Sequence, residues 1–182
     1  MFRFINIFDI FQDYCMAMKK DLNCLPFFVI LLLIPVLITL FLSWIIQDAV
    51  FKGFIKNLII INTILVPLLI NVLMILYYSI ERTKNSEDPN LDTKLIFLKH
   101  LHVSLSMTIL VSVFTLILSV LLDVVPLTGS YQFFDHTIYT ILIWKCITFF
   151  LISFLFVNLL IIIRRIHLLI NFEISEETSS AK

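Results

Sequence analysis

Charged residues are scarce in this sequence. Asp, Glu, Lys and Arg together make up 14% of its 182 residues, whereas hydrophobic residues make up 60%. Soluble domains carry about 25% charged residues, and a soluble fold of this composition would leave a large apolar area in contact with water. The composition therefore excludes an ordinary soluble domain and indicates an integral membrane protein.

Glycine and cysteine are also rare, and each shortage excludes a class of site. The two glycines, Gly53 and Gly129, lie in predicted connections, so the chain has no glycine-rich phosphate-binding loop. The spacing of Cys15, Cys24 and Cys146 matches neither a disulfide framework nor a metal site. Hydrolase and metalloprotease motifs are missing as well, so we expect no enzymatic activity, catalytic residue, metal or cofactor.

What the chain does have is a set of four long windows that are almost free of charge: Leu25–Ile46, Asn57–Ile80, His100–Leu122 and Ile138–Ile163. About 20 apolar residues cross a hydrocarbon core of about 30 Å as a helix. Barrel strands are about 10 residues long and alternate polar with apolar residues, a pattern that these windows lack. The sequence predicts an all-α membrane protein with four transmembrane helices.

Lys and Arg residues outside these windows are unevenly distributed. Ten lie in the N-terminal segment, in the middle connection (residues 81–99) and in the C-terminal tail (residues 164–182). The first connection holds Lys52 and Lys56, and the third connection (residues 123–137) holds none. Because basic residues are retained on the cytoplasmic side, we expect both termini and the middle connection to lie in the cytoplasm.

Residues 1–22 have a helical period of their own. Apolar residues recur there at steps of three and four, namely Phe4, Ile7, Phe8, Phe11, Cys15 and Met18. This pattern predicts an amphipathic interfacial helix. Such a helix lies flat at the inner leaflet, or it docks its apolar face on another subunit.

The third span carries polar residues along one helical face. At steps of three and four it presents His100, Ser104, Thr108, Ser112, Thr115, Ser119 and Asp123. Small residues let helices approach each other in lipid, and Ser and Thr fill that role where Ala and Gly are scarce. Alternatively, the hydroxyls line a wet path with His100 at its inner mouth and Asp123 at its outer mouth. Packing is favoured, because a hydroxyl can bond to the preceding turn of its own helix without water.

Other polar groups also lie inside the spans. Lys145 is the one Lys or Arg within the four windows, at a depth where a lone ammonium is costly. Its side chain either extends to the outer surface or pairs with Asp48 or Asp123. Asn62, Asn71 and Asn158 are expected to form hydrogen bonds between helices.

A group of cations flanks the inner ends of the last three spans and comprises Arg82, Lys84, Lys94, Lys99, Arg164 and Arg165. Together they place a positive field at the inner membrane face. We expect this surface to contact anionic membrane lipids or the acidic surface of a soluble cytosolic protein.

Two segments carry a family resemblance, the middle connection "ERTKNSEDPNLDTK" and the entry to the third helix, "FLKHLHVS". With four spans and both termini inside, they resemble the membrane subunit of the bacterial Kiwa antiphage system. The resemblance implies a homo-oligomer, a tetramer, in the bacterial inner membrane that senses phage attack and works with a soluble DNA-binding effector. This chain itself would then bind no nucleic acid. Two other functions stay open, a small channel or pore-forming effector and an accessory subunit of a transporter.

Overall fold

A computed structural model describes residues 7–21, 29–84, 91–124 and 137–180. The described residues form five α-helices and one π-helical turn, and they contain no β-strand. In chain order these elements are α1 (Ile7–Asp21), the π turn (Val29–Leu33), α2 (Ile34–Ile45), α3 (Asp48–Lys84), α4 (Leu91–Val124) and α5 (Thr137–Ser180). The prediction of an all-helical protein is confirmed for this part of the chain.

Membrane-spanning length is reached by three of the described helices. Their apolar segments are Val50–Lys84, Leu91–Val124 and Leu142–Asn171. The first predicted span corresponds to a shorter apolar helix, Leu31–Ile45, and its residues 25–28 lie outside the described ranges. The chain is thus a multi-pass helical membrane protein by the length and composition of its helices, while a count of four spans and their orientation remain predictions.

The first connection is shorter than the charge pattern predicted. Only Ile46 and Gln47 separate α2 from α3, so Gly53, predicted to lie in a connection, lies in the first turns of α3. Lys52 and Lys56 are both exposed there, because a lysine at a helix end can keep its ammonium in water without interrupting the helix. Residues 85–90 of the middle connection and residues 125–136 of the third connection lie outside the described ranges.

Helix α4 occupies the centre of the bundle. It packs against α3, α5 and α1, whereas α2 and the π turn pack against α5. Among the described residues, three clusters of buried apolar side chains follow one another along α4. They lie around Leu101, around Met107 and around Leu118. The apolar side chains that α4 contributes to these clusters are therefore covered by neighbouring helices.

The outer face of the bundle is apolar. On α3, Ile61 is 57% exposed and Ile64 is 66% exposed, and Trp44 of α2 is 86% exposed. Soluble proteins rarely expose contiguous apolar patches of this kind. Lipid tails are the solvent that such a surface fits, which agrees with the composition of the chain.

Helix α1 packs against the bundle on a face that differs from the apolar face of the sequence pattern. Tyr14 is 0% exposed, whereas Phe11 of the predicted apolar face is 51% exposed. Phe11 has no polar atom and can remain in contact with lipid, while the Tyr14 hydroxyl requires a hydrogen-bond partner away from water. Helix α1 therefore buries the side that carries Tyr14, where the hydroxyl has a hydrogen-bond partner, and leaves Phe11 exposed.

Candidate functional site

The polar face of α4 points into the protein. Five of the seven predicted stripe residues are buried, with at most 1% exposure each: Ser104, Thr108, Ser112, Thr115 and Ser119. The two predicted mouths differ from them, since His100 is half-buried and Asp123 is exposed. Because α4 lies at the centre of the bundle, its hydroxyls meet neighbouring helices of the same chain.

Most of these hydroxyls donate to carbonyls one turn earlier in α4. The donor–acceptor distances are 3.0 Å from Ser104 to His100, 2.8 Å from Thr108 to Ser104, 2.7 Å from Thr115 to Val111 and 2.8 Å from Ser119 to Thr115. Bonds of this kind satisfy the hydroxyl without water or a partner helix. The stripe therefore presents a surface of small residues whose donors are already used.

Ser112 is the stripe residue whose hydroxyl donates to another helix. Its hydroxyl donates to Asn62 Oδ1 of α3 at 2.9 Å, and Asn62 is 2% exposed. This is an interhelical bond of the type expected for Asn62, at a depth where both groups are shielded from water. Bonds of this kind contribute on average about 0.6 kcal/mol in membrane proteins, so it orients α3 more than it stabilises the bundle.

Arg165 enters the bundle from α5 and meets the start of the stripe. Its Nη1 donates to the His100 carbonyl at 2.7 Å and to Ser104 Oγ, and the residue is 5% exposed. Arg165 was predicted to belong to the exposed cationic surface, but it holds α5 against α4. The neighbouring Arg164 is exposed, since adjacent residues on a helix point in different directions.

Tyr14 and Asn158 form a second buried polar contact near Arg165. The Tyr14 hydroxyl donates to Asn158 Oδ1, and Asn158 Nδ2 donates to the Phe154 carbonyl of its own helix at 2.8 Å. Burial raises the pKa of Tyr14, and the Arg165 guanidinium opposes part of this effect. The hydroxyl therefore stays protonated and acts as a donor throughout the physiological range.

The sequence pattern gave no indication of the Tyr14 contact. Tyr14 is adjacent to Cys15 of the predicted apolar face, and a tyrosine at that place is also compatible with a membrane interface. A signal was nevertheless present, because a buried tyrosine hydroxyl needs a partner and Asn158 is a polar group in an apolar helix.

Lys145 lies at the opposite end of the stripe and is 6% exposed. Its Nζ donates to the Ile46 carbonyl at 3.0 Å and lies 5.9 Å from the centre of the Phe51 ring. Ile46 is the residue that ends α2, where unpaired carbonyls and the helix dipole attract a cation. Of the two carboxylates considered from the sequence, Asp123 is exposed, and the Asp48 side chain lies outside the described part of the structure.

The remaining predicted cations form a surface at the end of the bundle where Arg165 lies. Arg82, Lys84, Lys99 and Arg164 are exposed, and Lys94 is half-buried. Arg82 and Lys84 occupy the last turn of α3, where basic side chains interact favourably with the helix dipole. We call this group, Arg82, Lys84, Lys94, Lys99 and Arg164, the basic surface.

The arrangement as a whole is a line of buried polar contacts with a cation at each end. It consists of four separate hydrogen bonds, which join Arg165 to Ser104, Tyr14 to Asn158, Ser112 to Asn62, and Lys145 to the Ile46 carbonyl. Among the described residues, no group of three or more His, Cys, Asp or Glu side chains could hold a metal ion. Chemically, this line can orient five helices and hold two cations inside an apolar bundle.

Comparison with known proteins leaves the geometry as the basis for a functional assignment. No family model, curated protein or solved structure matches this chain.

Proposed function

We propose that this protein is an oligomeric scaffold and sensor in the bacterial inner membrane. In this proposal it detects perturbation of the cell envelope, such as phage infection, and passes the signal to a soluble DNA-binding effector in the cytosol. The observation that carries the proposal is the basic surface, which gathers four exposed cations and the half-buried Lys94 where three long helices extend beyond their predicted spans.

Helix extension at this end provides the platform for a partner. Helix α3 continues to Lys84, α4 begins at Leu91 and α5 continues to Ser180, whereas the predicted spans end or begin at residues 80, 100 and 163. Side chains of all three helices line a common cleft there. A soluble protein can thus contact several helices at once, so a change in their packing would reach it directly.

The charge of the basic surface is the second observation that supports the scaffold proposal. Among the side chains that the structure describes at this end, the basic surface has five cations, and the exposed carboxylates are Glu81 and Asp92. The sequence there also contains Glu87, Asp88, Glu173, Glu176 and Glu177, so the positive charge is a local property of the basic surface and not a net charge of this end. A positive surface attracts an acidic protein surface, and salt screens the attraction over about 8 Å at physiological ionic strength. The resemblance to the Kiwa membrane subunit supplies the rest of the proposal, namely the tetramer, the phage stimulus and the nucleic-acid-binding activity of the effector.

Charge reversal tests the scaffold. The double variant Lys84→Glu with Lys99→Glu should lose its soluble partner when the complex is purified from native membranes, and rising salt should release that partner from the unmodified protein. Lys52→Glu with Lys56→Glu is the matched control, since these two lysines are exposed at the other end of α3. Equal capture by both double variants at every salt concentration would remove the proposal.

A conduit is the second candidate function, and the buried cations at the two ends of the polar line are the observation that favours it. A small channel, a pore-forming effector or a subunit of a transporter would use such a line to pass ions or protons. The hydroxyl bonding pattern weighs against this function, because four stripe hydroxyls already donate to carbonyls of α4. Ion flux through liposomes that contain the purified protein distinguishes the two functions.

A further inference from the structure

A cleft of about 290 Å³ opens between α3, α4 and α5 at the end of the bundle that carries the basic surface. Its inner wall is apolar and includes Val72 and Leu76 of α3 and Leu101 of α4. Its rim is polar and consists of Ser79, Thr83 and Lys94. Apolar and polar lining residues therefore occupy different depths of the cleft.

The length of the cleft matches one leaflet of a bilayer. From Val72 to Thr83 the lining follows α3 over eleven helical steps, or about 16 Å at 1.5 Å per residue. Half of a hydrocarbon core of about 30 Å is about 15 Å. When Thr83 and Lys94 lie at the depth of the headgroups, the Val72 end therefore lies near the middle of the bilayer.

The charge of the rim selects the headgroup. Lys94 lies on the rim itself, Arg82 and Lys84 flank the rim residue Thr83 in the last turn of α3, and Lys99 is exposed further along α4. An ammonium has three donors, so Lys94 can keep a contact within the chain and still bind a phosphate oxygen. Basic pockets between transmembrane helices on the cytoplasmic side are a recognised form of anionic lipid site.

We propose that this cleft binds one anionic phospholipid molecule. Its acyl chain lies against Val72, Leu76 and Leu101, and its phosphate lies at the rim beside the Lys94 ammonium, since the Thr83 hydroxyl already donates to the Ser79 carbonyl at 2.8 Å. A soluble anion would gain nothing from the apolar wall, and a zwitterionic lipid would gain little from the cations. The proposal stands independently of the scaffold function, because it requires neither a soluble partner nor an oligomer.

Native mass spectrometry of the full chain, released from nanodiscs of phosphatidylglycerol and phosphatidylethanolamine in equal amounts, measures which lipid is retained. The unmodified protein should retain phosphatidylglycerol preferentially. Lys94→Gln should reduce this retention about fivefold, the effect expected from the loss of one lysine near a membrane surface. Lys56→Gln, which removes an exposed lysine at the far end of α3, should leave the retention unchanged.

A second pair of variants tests the apolar wall. Val72→Trp places an indole in the cleft and should reduce the retention of both lipids, whereas Ile61→Trp adds the same side chain to a part of α3 that is 57% exposed and should not. Thermal unfolding and helical content of each variant show whether the bundle is intact. If Val72→Trp fails to fold, the smaller change Val72→Phe takes its place.

These outcomes distinguish binding of a whole phospholipid from binding of its phosphate group alone. Preferential retention of phosphatidylglycerol that falls with Lys94→Gln and with the filled cleft supports the lipid site. Equal retention of both lipids, or equal effects of Lys94→Gln and Lys56→Gln, overturns it. Displacement of the lipid by millimolar inorganic phosphate alone would also overturn it, because the acyl chain would then contribute nothing to binding.

Discussion

Tyr14 contributes a single hydrogen bond to this bundle, but the bond joins α1 to a polar atom deep in α5. Tyr14→Phe keeps the ring and leaves Asn158 Oδ1 without its donor. We expect a loss of about 1 kcal/mol in the free energy of unfolding near neutral pH, the usual net value of one hydrogen bond. Tyr77→Phe is the control, since Tyr77 is 55% exposed and should change little. Equal losses from both variants would contradict a specific contact of Tyr14.

The same residue predicts a pH dependence. Because burial raises the pKa of Tyr14 in the folded protein, the proton is held more tightly in the folded than in the unfolded state. Its contribution is complete below the unfolded value of about 10 and is lost as the pH rises above that value. Thermal unfolding at pH 8 and pH 11 should show the advantage of the unmodified protein over Tyr14→Phe shrinking. A constant difference would show that the pKa of Tyr14 is the same in the folded and unfolded states, which would contradict a value raised by burial.

Arg165 and Arg164 are neighbours in sequence with opposite environments. Arg165→Ala removes two buried donors and leaves the His100 carbonyl and Ser104 with fewer partners, so we expect a loss of about 2–3 kcal/mol, typical of hydrogen bonds to a charged group. Arg164→Ala should stay within about 0.5 kcal/mol, because Arg164 is a surface residue. Unfolding by denaturant in a mild detergent measures both, and similar losses would mean that Arg165 is not packed as described.

At the scale of the element, substitutions in α4 separate the effect of small side-chain volume from the effect of the hydroxyl groups. Replacing Ser104, Thr108 and Ser112 together by Ala retains their small size and removes two interhelical bonds, from Ser112 to Asn62 and from Arg165 to Ser104, a loss of about 0.6 kcal/mol for each on average. Replacing the same three by Leu overfills sites that are buried against neighbouring helices, at a cost of about 1–3 kcal/mol each. The Ala variant should therefore assemble as the unmodified protein does, and the Leu variant should not.

Flux measurements complete this test of α4. A packed seam carries no current in the unmodified protein or in either triple variant, as measured in liposomes. A current in the unmodified protein that the Ala variant abolishes, with assembly intact, would establish the conduit instead, because dry walls stop ions. Electrophoresis in mild detergent provides the assembly readout for each sample.

At the scale of the whole molecule, sidedness decides whether the basic surface faces the cytosol. Lys and Arg are concentrated at one end of the helices, and basic residues are retained on the cytoplasmic side. An alkaline-phosphatase fusion after Glu87 should be inactive, and a fusion after Ser130 should be active, since the enzyme functions only outside the cytoplasm. The reverse pattern would place the basic surface outside and remove the proposed contact with a cytosolic effector.

The secondary structure and the membrane character follow from the sequence alone. Long uncharged windows can satisfy their backbone groups in lipid only as helices, so α3, α4 and α5 were predictable in type and approximate length. The polar face of α4 was predictable too, because residues at steps of three and four share a face whatever surrounds the helix. Helix ends were less predictable. Lys52, Gly53 and Lys56 were predicted to lie in a connection but lie in α3, because a charged residue lowers the local hydropathy without ending a helix.

Tertiary structure alone decided which distant polar groups meet. Tyr14 bonds to Asn158, Ser112 to Asn62 and Lys145 to the Ile46 carbonyl, and each pair depends on how far one helix is rotated and shifted against another. Sequence periodicity specifies a face of a single helix, but not the depth or the rotation of its neighbour. Arg164 and Arg165 have the same chemistry in the sequence, and it is the position of α5 against α4 that leaves one cation exposed and buries the other.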